Sequence, residues 1–173
     1  MARMEISNGR SDWRTHLAQT RGGGSLLEVD AWIPSEVNAI SPLVERLIRL
    51  IEGSRCITGE EHSVQLALRE APNNAVIHGN RLHARKLVHV RVHCRVGKGI
   101  SLIVSDQGQG FDARTIPNPL AVENLEAEHG RGIHIMKVAM DEVSFQQGGT
   151  EVHMCKRLAR NARGVARSDS RHS

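Results

Sequence analysis

The chain has 173 residues, 39% hydrophobic and 24% charged, with a net charge of +4 and only 2% aromatic residues, none of them Tyr; this suits one domain burying roughly two-thirds of its unfolded surface, with a core of Val, Ile, Leu, Ala and Met. The basic excess lies in 1–25 and 156–173, leaving 26–155 net acidic, and such Arg-rich, apolar-poor ends are read as solvated rather than as nucleic-acid ligands. No apolar stretch approaches the ~20 residues of a membrane span and the N-terminus has no secretory apolar core, so no membrane contact and a cytoplasmic location are expected.

Residues 1–24 are polar and close on Arg21-Gly-Gly-Gly24, predicting a flexible N-terminal segment before a globular unit over 25–158. Leu26–Ile33 predicts a strand stopped by Pro34. Ser35 is a candidate cap for a helix whose apolar residues, Val37, Ile40, Val44, Leu47, Ile48 and Ile51, recur at three-four spacing, with Pro42 expected to kink or break it. A second helix is expected after Thr58, capped by that hydroxyl with Glu61 three residues on, and running through Val64, Ala67, Leu68 and Ala71 to Ile77. Leu87–Val96 alternates strictly, Val88, Val90, Val92, Cys94 and Val96 against His89, Arg91, His93 and Arg95, as a strand with one buried and one wet face does. Gly97-Lys-Gly99 turns it into a second strand, Ile100–Ser105. Residues 112–129, with two prolines and several acids, suit a short mobile lid. A third helix carries Ile133, Ile135, Met136, Val138, Ala139 and Met140, strands follow near 143–146 and 150–158, and 159–173 read as a disordered basic tail.

Cys56, Cys94 and Cys155 are odd in number and widely spaced, which reads as reduced thiols rather than a disulfide framework or zinc site. Ten histidines raise a metal reading, but His89 and His93 fall on the wet face of the alternating strand, where facing solvent is the simpler role.

Three short motifs carry the chemistry. In Glu70-Ala-Pro-Asn-Asn74-Ala-Val-Ile-His78-Gly79, a helix would stack Glu70, Asn74 and His78 on one face. A carboxylate one turn from an amide can accept a proton beside a metal-bound phosphate, and Asn74, an indifferent mid-helix residue, is explained by a role on Mg²⁺. His78 either joins them or caps the helix before Gly79. In Asp106-Gln-Gly108-Gln-Gly110-Phe111, an acceptor ends an apolar strand where a purine amino group can donate to it, and the two glycines let backbone approach a ligand. In His129-Gly130-Arg131-Gly132-Ile133, the amides around Gly130 and Gly132 at a helix start suit an anion, while Arg131 can meet phosphate or water. Pro72, between Glu70 and Asn74, costs on the order of 3 kcal/mol in a helix interior and puts a kink at the motif.

The order of these motifs resembles the Bergerat-type ATP fold of the GHKL group, which includes histidine-kinase ATPase domains, Hsp90, gyrase B and MutL. Within it the strongest likeness, over roughly 25–158, is to anti-sigma factor serine-protein kinases of the RsbW and SpoIIAB group, whose C-terminal half is similar to His129–Met136, Met140–Val143 and Gly149-Thr150-Glu-Val152. The resemblance implies an α/β (α+β) two-layer sandwich with helices on one face of a mixed, mostly antiparallel sheet. It further implies ATP and Mg²⁺ as cofactors, Glu70 as the base, Asn74 on the metal, Asp106 on adenine, and Gly108, Gly110, Gly130, Gly132 and Thr150 around the nucleotide. The implied partners are a sigma factor and a STAS-domain anti-anti-sigma protein phosphorylated on Ser or Thr, with a homodimer left open. A nucleotide-gated binding module that transfers no phosphate is the alternative. A histidine kinase or gyrase-like clamp would need a dimerising hairpin or a transducer domain, for which 24 residues before the core leave no room.

Overall fold

The structure, a computed structural model, describes residues 2–7, 12–19, 25–111 and 128–158. Seven strands form one sheet: β1 Ala2–Ser7, β2 Asp12–Gln19, β3 Ser25–Pro34, β4 Leu87–Arg95, β5 Gly99–Ser105, β6 Glu142–Gln146 and β7 Glu151–Lys156. Their order across the sheet is β1-β2-β3-β4-β5-β7-β6. Every pairing among the described residues is antiparallel, in keeping with the mostly antiparallel sheet expected. Three helices, α1 Ile40–Ser54, α2 Glu61–Asn74 and α3 Glu128–Ala139, accompany it, an α+β arrangement.

Strict alternation makes the core. Leu27, Val29, Ala31 and Ile33 of β3, Val88, Val90 and Val92 of β4, and Leu102 and Val104 of β5 are buried together with Leu43, Val44, Leu47 and Ile51 of α1 and Val64, Ala67, Leu68 and Ala71 of α2. Each such Val, Leu or Ile side chain fully buried stabilises by roughly 1.5–3 kcal/mol. Alternating residues of the same strands line the opposite, helix-free face. Met136 and Met154 fill the gap between α3 and β7 without exposure.

Five expectations need correction. Residues 1–24 were expected to be flexible, yet 2–7 and 12–19 are strands, β2 pairing along β3 from Asp12↔Trp32 to Gln19↔Ser25; the free edge of β3 offers backbone donors and acceptors that even a polar segment can satisfy. Pro42 does not break α1, because the helix begins at Ile40 after a 3₁₀ turn, Val37–Ala39, and a first-turn proline lacks only an amide that has no intrahelical partner. Neither expected cap forms: Ser35 Oγ is buried without a hydrogen bond, and α2 starts after Glu60, where the Gly59 amide donates to Glu61 Oε2 at 2.8 Å. His89 is not solvated, since its ring stacks on Trp32 at 3.9 Å and its Nε2 lies 3.0 Å from Asp30 Oδ1. Finally, Cys56 and Cys94 are joined in a disulfide with Cα atoms 5.9 Å apart, whereas Cys155 is free. Cys56 follows Arg55, the left-handed residue ending α1, and that turn aims it at the core face of β4. The expected lid, 112–129, lies outside the described residues except for its last two positions, which open α3, and the expected basic tail, 159–173, lies outside them entirely.

Candidate functional site

The first motif is on α2 and on the turn that ends it. Glu70 and Asn74 lie one turn apart and are half-buried, and Pro72 is buried inside the helix without ending it. Three residues past Pro72 the helix widens into a π turn, Ala75–Gly79, closed by the Asn80 amide donating to the Ala75 carbonyl at 2.7 Å. Such turns insert a residue into the helical register. The straight stack expected for Glu70, Asn74 and His78 therefore holds as α-helix only as far as Asn74, and half-buried His78 belongs to the π turn.

The third motif meets the first at Gly132. A Cβ on Gly132 would stand 2.9 Å from Glu70 Oε2 and 3.0 Å from Asn74 Oδ1, so any side chain there would have to displace the ends of this pair. Gly130, Arg131 and Gly132 lie within the opening turns of α3, which starts at Glu128. Gly130 and Gly132 are buried and Arg131 is exposed. First-turn amides have no intrahelical partner and favour anions. The Glu70 carboxylate and the Asn74 amide oxygen are hard oxygen donors, a set that suits Mg²⁺ retaining part of its water shell.

The second motif closes the other end. Asp106 follows β5, and its amide donates to the Thr150 carbonyl at 2.9 Å. Its carboxylate packs under Gly79, where a Cβ would collide with it, and Oδ1 accepts from the Gly108 amide at 2.7 Å. A Cβ on Gly108 would strike the Gly79 carbonyl, so both glycines are required by close approach. Burial pushes the Asp106 carboxyl above its ordinary value, with the Gly108 amide and the Lys86 charge partly offsetting it. Gly110 has φ +71° and a Cβ there would meet Gly148 and Thr150. Phe111 packs edge-on against Phe145 at 5.2 Å, its amide bonded to the Gly148 carbonyl.

Asn80 escaped the sequence reading, its local signal being no more than an amide following Gly79. It is 1% exposed and joins the motifs: Oδ1 accepts from the Gln107 amide at 2.8 Å while Nδ2 donates to the Leu87 carbonyl at 3.0 Å. Gln107 Oε1 in turn accepts from the Leu87 amide at 2.8 Å. The π turn, the start of β4 and the Asp106 loop are thereby tied into one unit.

An antiparallel sheet accompanied by these helices, which brings E-x-x-x-N, D-x-G-x-G and G-x-G together around the C-terminal part of α2, has the fold of an ATPase domain of the histidine-kinase type. The family profile described as Histidine kinase-like ATPase domain matches residues 33–156, and the chain belongs to that family. Among named relatives it is similar to the Anti-sigma F factor of Bacillus cereus strain G9842, and to proteins of the same name from Bacillus thuringiensis strain Al Hakam and Bacillus mycoides strain KBAB4. Each is 33% identical over 101 residues, covering 56% of this chain and 68% of the relative. No helix among the described residues is long and apolar enough to cross a membrane.

Proposed function

We propose that this chain is an ATP-binding anti-sigma regulator that phosphorylates Ser or Thr of a STAS-domain anti-anti-sigma partner, and that sequesters a sigma factor while that partner is absent or phosphorylated. Support comes from the family match, from the name of the relatives, and above all from one observation: Glu70 and Asn74 converge on the bare backbone of Gly132 while the Asp106 carboxylate is held under Gly79 at the far end of the same helix. Asp106 accepts from the adenine amino group, and Gly108, Gly110 and Thr150 shape the base end of the cleft. Gly130, Arg131 and Gly132 receive phosphate at the start of α3. Asn74 offers its oxygen to Mg²⁺, which would neutralise phosphate charge, and Glu70 takes the proton of the attacking hydroxyl. Phosphoryl transfer needs little more than positioning and charge neutralisation, and both are within reach of these residues.

Labelled ATP and the cognate partner test this. Glu70→Gln keeps the side chain's size, so ATP and sigma-factor binding persist while transfer falls by roughly 10²- to 10⁴-fold. Unchanged transfer removes Glu70 as the base. No transfer by the native chain, with partner binding intact, leaves a nucleotide-gated binding module.

A further inference from the structure

Behind the adenine end, on the helix-free face of the sheet, Glu151 is 6% exposed and fully bonded. Oε2 accepts from Ser105 Oγ at 2.6 Å and from the Arg91 guanidinium at 2.8 Å, and Oε1 lies 2.5 Å from His153 Nε2. These bonds join β4, β5 and β7. Their place in the register is what matters: Ser105↔Glu151 is the last rung of the β5–β7 ladder. One residue further, past the end of the ladder, the Asp106 amide donates to the Thr150 carbonyl at 2.9 Å, and the Asp106 carboxylate lies against Gly79. Beyond them both strands leave the sheet, β5 into the Gly108–Gly110 loop and β7 back through Gly148 and Gly149, each at positive φ. A ladder frays where its backbone bonds end, and a buried side-chain clamp on the final rung opposes that fraying.

We propose that Glu151, held by Arg91, His153 and Ser105, is a positioning residue for nucleotide recognition, fixing the aim of the Asp106 carboxylate and the Thr150 segment from the reverse face of the sheet. The proposal rests on Asp106 as the reader of adenine. Glu151 touches no substrate. It acts through the backbone of its neighbours, so its loss is felt in selectivity for the base more than in phosphate binding.

Calorimetry with ATP and inosine triphosphate, which lacks the donating amino group, separates the roles, with thermal midpoints measured alongside. The native chain prefers ATP, and Asp106→Asn abolishes the preference. Ser105→Ala and Glu151→Gln each lower ATP affinity by about tenfold and leave inosine triphosphate affinity unchanged, and Ser105→Thr, which keeps the hydroxyl, restores the preference. Ser105→Ala removes one bond of the clamp and stands in should Glu151→Gln fail to fold. Parallel loss of both nucleotides, or an unaltered preference in a folded Ser105→Ala, overturns the clamp while the Asp106 reading survives. A native chain with no preference for ATP overturns the Asp106 reading and the clamp with it.

Discussion

At the π turn beyond α2, the Asp106 carboxylate lies beneath Gly79 and Gly108, fed by a backbone amide and braced through Asn80 and Gln107, whereas in α2 itself Glu70 and Asn74 are placed by helical spacing and by the closeness of Gly132 on α3. The end proposed to read the base is organised by the protein itself, with its half-buried acceptor held by these bonds. The chemical end depends on how closely one helix rides on another. Recognition and transfer should therefore fail separately, although one helix carries both.

The largest expected effect breaks the chemical end alone. Gly132→Ala puts a methyl group 2.9 Å from Glu70 Oε2, and displacing the base by a fraction of an ångström to an ångström lowers transfer by about 10²-fold, with the preference for ATP over inosine triphosphate unchanged in direct binding. Gly79→Ala does the reverse. Its Cβ collides with the Asp106 carboxylate, overpacking that costs about 1–3 kcal/mol, so ATP affinity and base preference drop together while transfer at saturating ATP survives. If either glycine variant damages both readouts equally, the two ends are one unit and the contrast fails.

A smaller effect sharpens the comparison. Asn80→Ala strips partners from the Gln107 amide and the Leu87 carbonyl, costing about 1–3 kcal/mol of stability. Denaturant titration measures it, and the accompanying loss of ATP affinity should exceed any change in transfer rate at saturation.

Acid pH gives the mildest test. If Asp106 reads adenine as proposed, its carboxyl, raised by burial, accepts more strongly when ionised, so affinity falls as pH drops through a value above the ordinary 3.8. At Glu151 burial acts upward too, but hydrogen bonds from Ser105 and His153 and the charge of Arg91 outweigh it and leave the carboxyl below its ordinary 4.5. Its contribution to stability is thus complete above the unfolded value and lost as pH falls through the lower folded one. Asp106→Asn should flatten the acid limb of affinity and spare that of stability, while Glu151→Gln flattens the acid limb of stability.

By itself the sequence determined whatever local periodicity and local chemistry can encode. Alternation in 87–96 named the core face of β4 apart from exposed Val96, three-four spacing named most of the buried residues of α1 and α2 while misplacing exposed Val37, and the glycines at 108 and 110 marked close backbone approach; the crowding at Gly79 and Gly132 came only with the tertiary structure. Helix propensity alone marks Pro72 as a fault, but the helix absorbs it and changes register only at the π turn beyond. Tertiary structure decided whatever depends on partners distant in the chain. Cys56 meets Cys94 across 38 residues, Glu151 meets Arg91 across 60, Asn80 finds Gln107 across 27, and β2 completes the sheet along β3. Side-chain type says what bonds a residue can make. Which of many equally capable partners it meets is fixed by strand register and helix packing, and these are set by burial of the whole apolar face at once.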